Sequence, residues 1–138
     1  MSLFAWPVRV YYEDTDAGGV VYHSQYLNFL ERARTEWLRS LGYQQDKIRV
    51  DHGVVFAVRT LEIDYIKPAL FNEELEVTVD KIQPRPASIV FHQSIAKPSP
   101  KQNELIVTAV VKVACVDIDR QAASAIPEPI YRVIKTCM

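Results

Sequence analysis

The chain has 138 residues, 49% of them apolar and 10% aromatic, which describes one ordinary domain (1–138) able to bury roughly two-thirds of its unfolded surface and excludes a disordered character. Sixteen Lys and Arg against 17 Asp and Glu leave a net charge of -1, so no global basic field exists to collect nucleic acid or an anionic membrane. No stretch approaches the ~18 uninterrupted apolar residues of a membrane span and no leader-like apolar segment opens the chain, which predicts a cytoplasmic protein without a transmembrane segment; Cys115 and Cys137, in no CxxC pattern, are expected as free thiols.

In chain order, Val8 to Tyr12 reads as a first strand. From Ser24 to Leu41, Tyr26, Leu30, Ala33, Trp37 and Leu41 recur at i, i+4, i+7, i+11 and i+15, with Leu27 and Leu38 beside them, which predicts one long amphipathic helix. Its other side holds Asn28, Glu31, Arg32, Thr35, Glu36 and Arg39; Arg32 and Glu36 are spaced to pair, and Gly42 stands where a left-handed cap would stop it. Val54 to Ile66 is a strand whose apolar phase shifts, placing a bulge or bend near Arg59 to Leu61. Glu74 to Ile82, Ser88 to Ala96 and Leu105 to Asp117 complete the set, separated by proline-rich breaks at Lys67-Pro68, Gln83-Pro84-Arg85-Pro86 and Lys97-Pro98-Ser99-Pro100. One long helix needs a sheet to cover it, and strands joined by short turns pair antiparallel. The expected class is α+β, a five-stranded antiparallel sheet wrapped around one helix.

The chemistry concentrates in YYEDTDAGGVVYH, residues 11 to 23. Gly18 and Gly19 permit a sharp turn with amides free to approach a ligand, and the following helix points unpaired N–H groups at the same place, which favours a developing negative charge. Asp14 and Asp16 flank it, and a carboxylate beside an oxyanion site can act as base or nucleophile in acyl transfer. The same residue types also build ordinary capped turns. Calcium is excluded because, with Asp14 and Asp16 at loop positions one and three, position five is Gly18 and position twelve is Gln25. Widely spaced His23, His52 and His92 give no zinc pattern, and GxSxG, GxGxxG and GxxxxGK[ST] are missing. No metal or other cofactor is expected.

The run Tyr12-Glu13-Asp14-Thr15-Asp16-Ala17-Gly18-Gly19-Val20-Val21-Tyr22-His23, followed by Tyr26-Leu27 and Glu31-Arg32-Ala33-Arg34-Thr35-Glu36, resembles the YbgC-type acyl-CoA thioesterases associated with the Tol-Pal system. These belong to the 4-hydroxybenzoyl-CoA thioesterase-like branch of the hotdog fold. The resemblance extends from Pro7-Val8-Arg9-Val10-Tyr11 to Val54–Pro68. It implies acyl-CoA hydrolysis, homodimers joined sheet edge to sheet edge that often pair into homotetramers, and sites at the dimer interface. It places the catalytic carboxylate on Asp16 and the amide that polarises the thioester carbonyl at His23, with Gly18, Gly19 and Val20 shaping the substrate loop. Glu31 is the alternative acid, because another hotdog branch carries its carboxylate on the helix. Arg85 matches the first position of a basic cluster that meets the nucleotide end of coenzyme A, but Pro86 and Ala87 follow it, so the acyl carrier is either coenzyme A or acyl carrier protein. The rival functions are a hotdog dehydratase or hydratase, which would need an HFPG-like histidine loop, and a non-enzymatic partner of envelope or lipid-synthesis machinery.

Overall fold

The computed structural model describes residues 2–138. The first strand, β1 (Phe4–Arg9), lies earlier than the expected Val8 to Tyr12. Local hydrogen bonding explains the shift: the Asp14 carboxylate takes the Tyr11 N–H at 2.8 Å and folds Tyr12–Asp14 into a 3-10 turn, which ends extended pairing. Pro7 is tolerated in β1 because this strand pairs only with β3, leaving its other edge without a ladder to interrupt.

The long helix is α1 (Gln25–Ser40), burying Tyr26, Phe29, Leu30, Ala33, Trp37 and Leu38. Gly42 closes it at φ +95, its N–H donating to the Arg39 carbonyl at 2.9 Å, as the cap reading requires. The expected Arg32–Glu36 pair is replaced by Arg39–Glu36 at 3.0 Å, while the Arg32 guanidinium stands 5.7 Å above the Phe29 ring.

The structure adds α2 (Gln45–His52) and α3 (Glu128–Lys135), so a single helix was too few. Polar α2 buries only Ile48 and lacks an apolar stripe to betray it. In α3 the signal was present: Ile130 and Ile134, one turn apart, are both fully buried, and Pro129 sits in the first turn.

The remaining strands are β2 (Val54–Tyr65), β3 (Glu74–Arg85), β4 (Ser88–Lys97), β5 (Glu104–Asp117) and the two-residue β6 (Ala122–Ala123). The sheet is antiparallel in the order β1-β3-β4-β5-β2, with β6 attached to β5. The five expected strands are therefore joined by a short sixth. The register of β2 on β5 skips from Val58 to Thr60, which places the bulge at Arg59, inside the expected segment. β3 runs on through Pro84 to Arg85, leaving only Pro86 and Ala87 in the turn; β1 covers β3 only up to Val79, so the missing Pro84 N–H costs no ladder bond.

α1 packs against β1, β3 and β4, and one apolar core joins them, with Phe29, Leu30, Ala33, Leu75, Val77, Val79 and Ile95 fully buried. Phe29→Ala should lower unfolding free energy by about 3–5 kcal/mol through lost transfer energy and the cavity left behind, read as a shift of the urea midpoint.

Candidate active site

Asp16 to His23 form a short hairpin-like loop stitched to residues 69–70. Thr15 bridges Val21 and Val20 bridges Leu70; the Val21 N–H donates to the Ala69 carbonyl at 2.9 Å and the Tyr22 N–H to the Asp14 carbonyl at 2.8 Å. The turn closes through the Gly19 N–H on the Asp16 carbonyl at 3.1 Å, with Gly19 at φ +82, a conformation costly for any residue with a Cβ. Gly18 has a different job. Its N–H donates to Asp16 Oδ1 at 2.8 Å, and a Cβ there would stand 3.2 Å from that same oxygen.

The two aspartates are sharply divided. Asp14 is buried and both its oxygens are occupied, Oδ2 by the Tyr11 N–H at 2.8 Å and Oδ1 by the Gln25 side-chain amide at 2.7 Å. Asp16 is exposed, and only Oδ1 is engaged; among the described residues Oδ2 has no partner. One carboxylate holds the loop to α1, and the other is free to react.

His23 ends the loop one residue before Ser24, the cap position of α1. Ser24 makes no side-chain cap bond, no acidic residue occupies the first turn, and among the described residues the His23 N–H meets no protein acceptor. Helix-end N–H groups left this way attract negative charge. The His23 carbonyl is held by the Tyr65 hydroxyl, which donates to it at 2.9 Å; the exposed imidazole makes no hydrogen bond among the described residues and leans on the Tyr22 ring at 4.4 Å. The backbone of His23, rather than its ring, is the positioned group.

An open cavity of about 270 Å³ lies against this point, lined by His23, Tyr26, Tyr65, Ile66, Lys67 and Pro68. Tyr26 is buried, and its hydroxyl accepts the Ala69 N–H at 3.0 Å. Burial raises its pKa above the ordinary phenol value, with the Ala69 hydrogen bond opposing and Tyr65, Glu73 and Asp16 adding to the rise, so the phenol stays protonated.

The structure brings Asp16, Gly18, Gly19, Val20 and His23 into one loop. It does not bring Arg85 to them: the loop meets the sheet where β3 begins, since the Asn72 N–H donates to the Val10 carbonyl, and Arg85 ends that strand, about 35 Å away along it. The cation at the cavity is Lys67. Gln25, Tyr26 and Tyr65 are the site residues the sequence did not single out; Tyr65 lies 42 positions from His23, and only strand β2 delivers it.

Comparison with known proteins agrees with this geometry. The sequence matches the thioesterase-like superfamily over residues 10–134. It is 44% identical to the acyl-CoA thioesterase YbgC of Haemophilus influenzae, over 92% of this chain and 90% of that protein, and 43% identical to the acyl-CoA thioester hydrolase YbgC of Escherichia coli O157:H7, over 97% of each. The crystal structure of a probable thioesterase from Bartonella henselae superposes with a TM-score of 0.80 at 31% identity, covering 89% of this chain and 98% of that one.

Gly19→Ala should cost about 1–2 kcal/mol from its positive φ, and Asp14→Ala about 1–3 kcal/mol from donors stranded at the loop base, both as lower urea midpoints. From the match across most of its length and the shared hotdog architecture, the chain belongs to the YbgC family of the thioesterase-like superfamily.

Proposed function

We propose that this protein hydrolyses acyl-coenzyme A to the free acid and coenzyme A. The supporting observation is the pairing of an unspent carboxylate oxygen, Asp16 Oδ2, with an unspent helix-end amide, the His23 N–H, on one short loop whose other carboxylate is fully used. A thioester carbonyl seated against the His23 N–H is polarised, and negative charge that develops on its oxygen is met by the first turn of α1. Asp16 either takes a proton from a water whose oxygen adds to the carbonyl carbon, or attacks that carbon itself; the thiolate departs without needing a strong acid, and on the second route water then cleaves the mixed anhydride to the free acid and restores Asp16. Gly18 keeps Oδ1 engaged and leaves Oδ2 unspent, while Gly19 and Val20 hold the turn. The dehydratase reading would need an HFPG-like histidine loop, and this chain has Asp16-Ala17-Gly18-Gly19 there instead.

Asp16→Asn keeps the shape and removes the charge. It should lower kcat by about 10²- to 10⁴-fold while a non-hydrolysable acyl-CoA analogue still binds. Asp14→Asn should act mainly on stability. Near-parental hydrolysis by a folded Asp16→Asn protein would transfer the role to Glu31 or leave the acidic loop purely structural. Such a variant in complementation also separates an enzymatic role from a scaffolding one.

The substrate's phosphates must be met locally. Lys67 stands at the cavity that holds His23, whereas Arg85, at the far end of β3, lies outside it and contributes only where it meets a coenzyme A bound by another copy. Lys67→Ala and Arg85→Ala should therefore raise KM and weaken its salt dependence with kcat nearly unchanged, and a variant whose KM at low salt equals the parent's removes that residue from the binding set. Parallel assays with acyl-CoA and acyl carrier protein thioesters identify the carrier.

β2 has β5 on one side only, and its 12 residues offer a long open ladder. A homodimer joined along this edge, pairing further into a tetramer, is the assembly we assign. Among the described residues no helix is long and apolar enough to cross a membrane. A cytoplasmic enzyme working beside the Tol-Pal envelope machinery fits the family resemblance.

A further inference from the structure

Two phenols line the cavity beside His23, and they use their hydroxyls differently. The Tyr65 O–H donates to the His23 carbonyl at 2.9 Å, so its one proton is spent. The Tyr26 hydroxyl acts only as an acceptor. It takes the Ala69 N–H at 3.0 Å, and among the described residues its own O–H meets no acceptor. Tyr26 is 3% exposed, and a hydroxyl this far from bulk water ordinarily completes its donor bond. The cavity that Tyr26 shares with His23 is where an acceptor has room. Lys67, the other side-chain donor there, keeps its Nζ 3.8 Å from Glu104 Oε2 and its side chain 58% exposed, which leaves Tyr26 as the inner donor.

The phenol is also fixed in place. Its ring stands edge-on to Phe29, with centres 6.2 Å apart, and 5.6 Å from the ring of Tyr65. Ala69, whose N–H holds the hydroxyl, accepts the Val21 N–H at 2.9 Å, so phenol and acidic loop are tied to the same segment. Tyr26 follows His23 by three residues, and helical side chains lean toward the N-terminus, which lays the phenol back over the turn that carries the His23 N–H. Burial first, and then Tyr65, Glu73 and Asp16, raise its pKa against the Ala69 hydrogen bond; the proton is retained, and the Asp16 charge is felt at the hydroxyl.

We propose that Tyr26 is a second oxyanion donor: with a thioester seated against the His23 N–H, the Tyr26 O–H donates to the same carbonyl oxygen. The inference rests on the acyl-CoA hydrolysis proposed above and adds a catalytic residue to it. A carbonyl oxygen has two lone pairs and accepts both bonds. As Asp16 or its water adds to the carbon, the π electron pair of the carbonyl moves onto oxygen and both bonds strengthen. The phenol keeps its proton throughout. When the C–S bond breaks, the pair returns to re-form the carbonyl and the thiolate leaves with the bonding electrons. A bond that strengthens only as charge develops acts on kcat rather than on KM.

The test begins with Tyr26→Phe, which keeps the ring and removes the hydroxyl. For the best acyl-CoA substrate, kcat should fall by about 10²- to 10³-fold with KM nearly unchanged. The same variant strands the Ala69 N–H, so the urea midpoint checks the fold. A second replacement, a ring-fluorinated tyrosine in place of Tyr26, keeps the Ala69 bond and makes the O–H a stronger donor. In the Asp16→Asn background, which holds a bound acyl-CoA unhydrolysed, the infrared stretch of the isotope-labelled thioester carbonyl should rise in frequency with Tyr26→Phe and fall with the fluorinated ring. A folded Tyr26→Phe protein with parental kcat, a loss borne by KM alone, or a carbonyl stretch that neither replacement moves overturns the second donor and leaves Asp16-dependent hydrolysis standing. A parent protein that hydrolyses no acyl-CoA overturns both readings.

Discussion

Burial of one face of α1 is the constraint on which the rest depends. With Phe29, Leu30 and Ala33 fully buried against the sheet, the helix can neither slide nor roll without opening cavities or exposing apolar surface. That immobility has a chemical consequence. The first turn of α1 and the His23 N–H are held wherever the core puts them, so the amide that the proposed reaction offers to the carbonyl oxygen is preorganised by packing several turns away. The Tyr65 hydroxyl on the His23 carbonyl ties the same peptide to strand β2.

A second constraint acts on the rotation of α1. Gln93 is almost fully buried in an apolar interior, where its amide bonds to the Leu30 carbonyl of the helix and the Thr78 carbonyl of β3. A partly satisfied polar group there would be costly, so these bonds favour one helix orientation over neighbouring ones of similar apolar contact. The same glutamine accepts a hydrogen bond from Arg34. Packing supplies the cohesion, and this network supplies the register.

The acidic loop divides labour among carboxylates that look alike in sequence. Asp14 has spent its hydrogen-bonding capacity on Tyr11 and Gln25, which makes it a buried brace between the loop and α1. Asp16, two residues on, is exposed and retains a free oxygen, because its other oxygen is occupied by the Gly18 amide. Thus the glycines serve different ends: Gly19 supplies the left-handed backbone that closes the turn, and Gly18 supplies room and an N–H for the carboxylate.

Much of this was legible in the sequence. The period of α1, its glycine stop, four of the five long strands, the bulge at Arg59 and the gathering of Asp16, Gly18, Gly19, Val20 and His23 are local properties, set by alternation, helical spacing and turn chemistry within a few residues. β1 was misplaced because a side-chain capture by Asp14 outcompeted the apolar run of Val8 to Tyr12, and α2 was missed because its polar sequence has no periodic stripe. Other features depended on chain segments far apart. The separation of Asp14 from Asp16 requires Gln25 and the strand-like ties to residues 69–70; the seat of His23 requires Tyr65; the remoteness of Arg85 follows from the length of β3; and the unspent donor of Tyr26 is visible only once Ala69 and the cavity surround it. Spacing along the chain determines which residues share a face or a turn. Which oxygen stays free and which donor lacks a partner are set by neighbours that only tertiary folding brings within hydrogen-bonding distance.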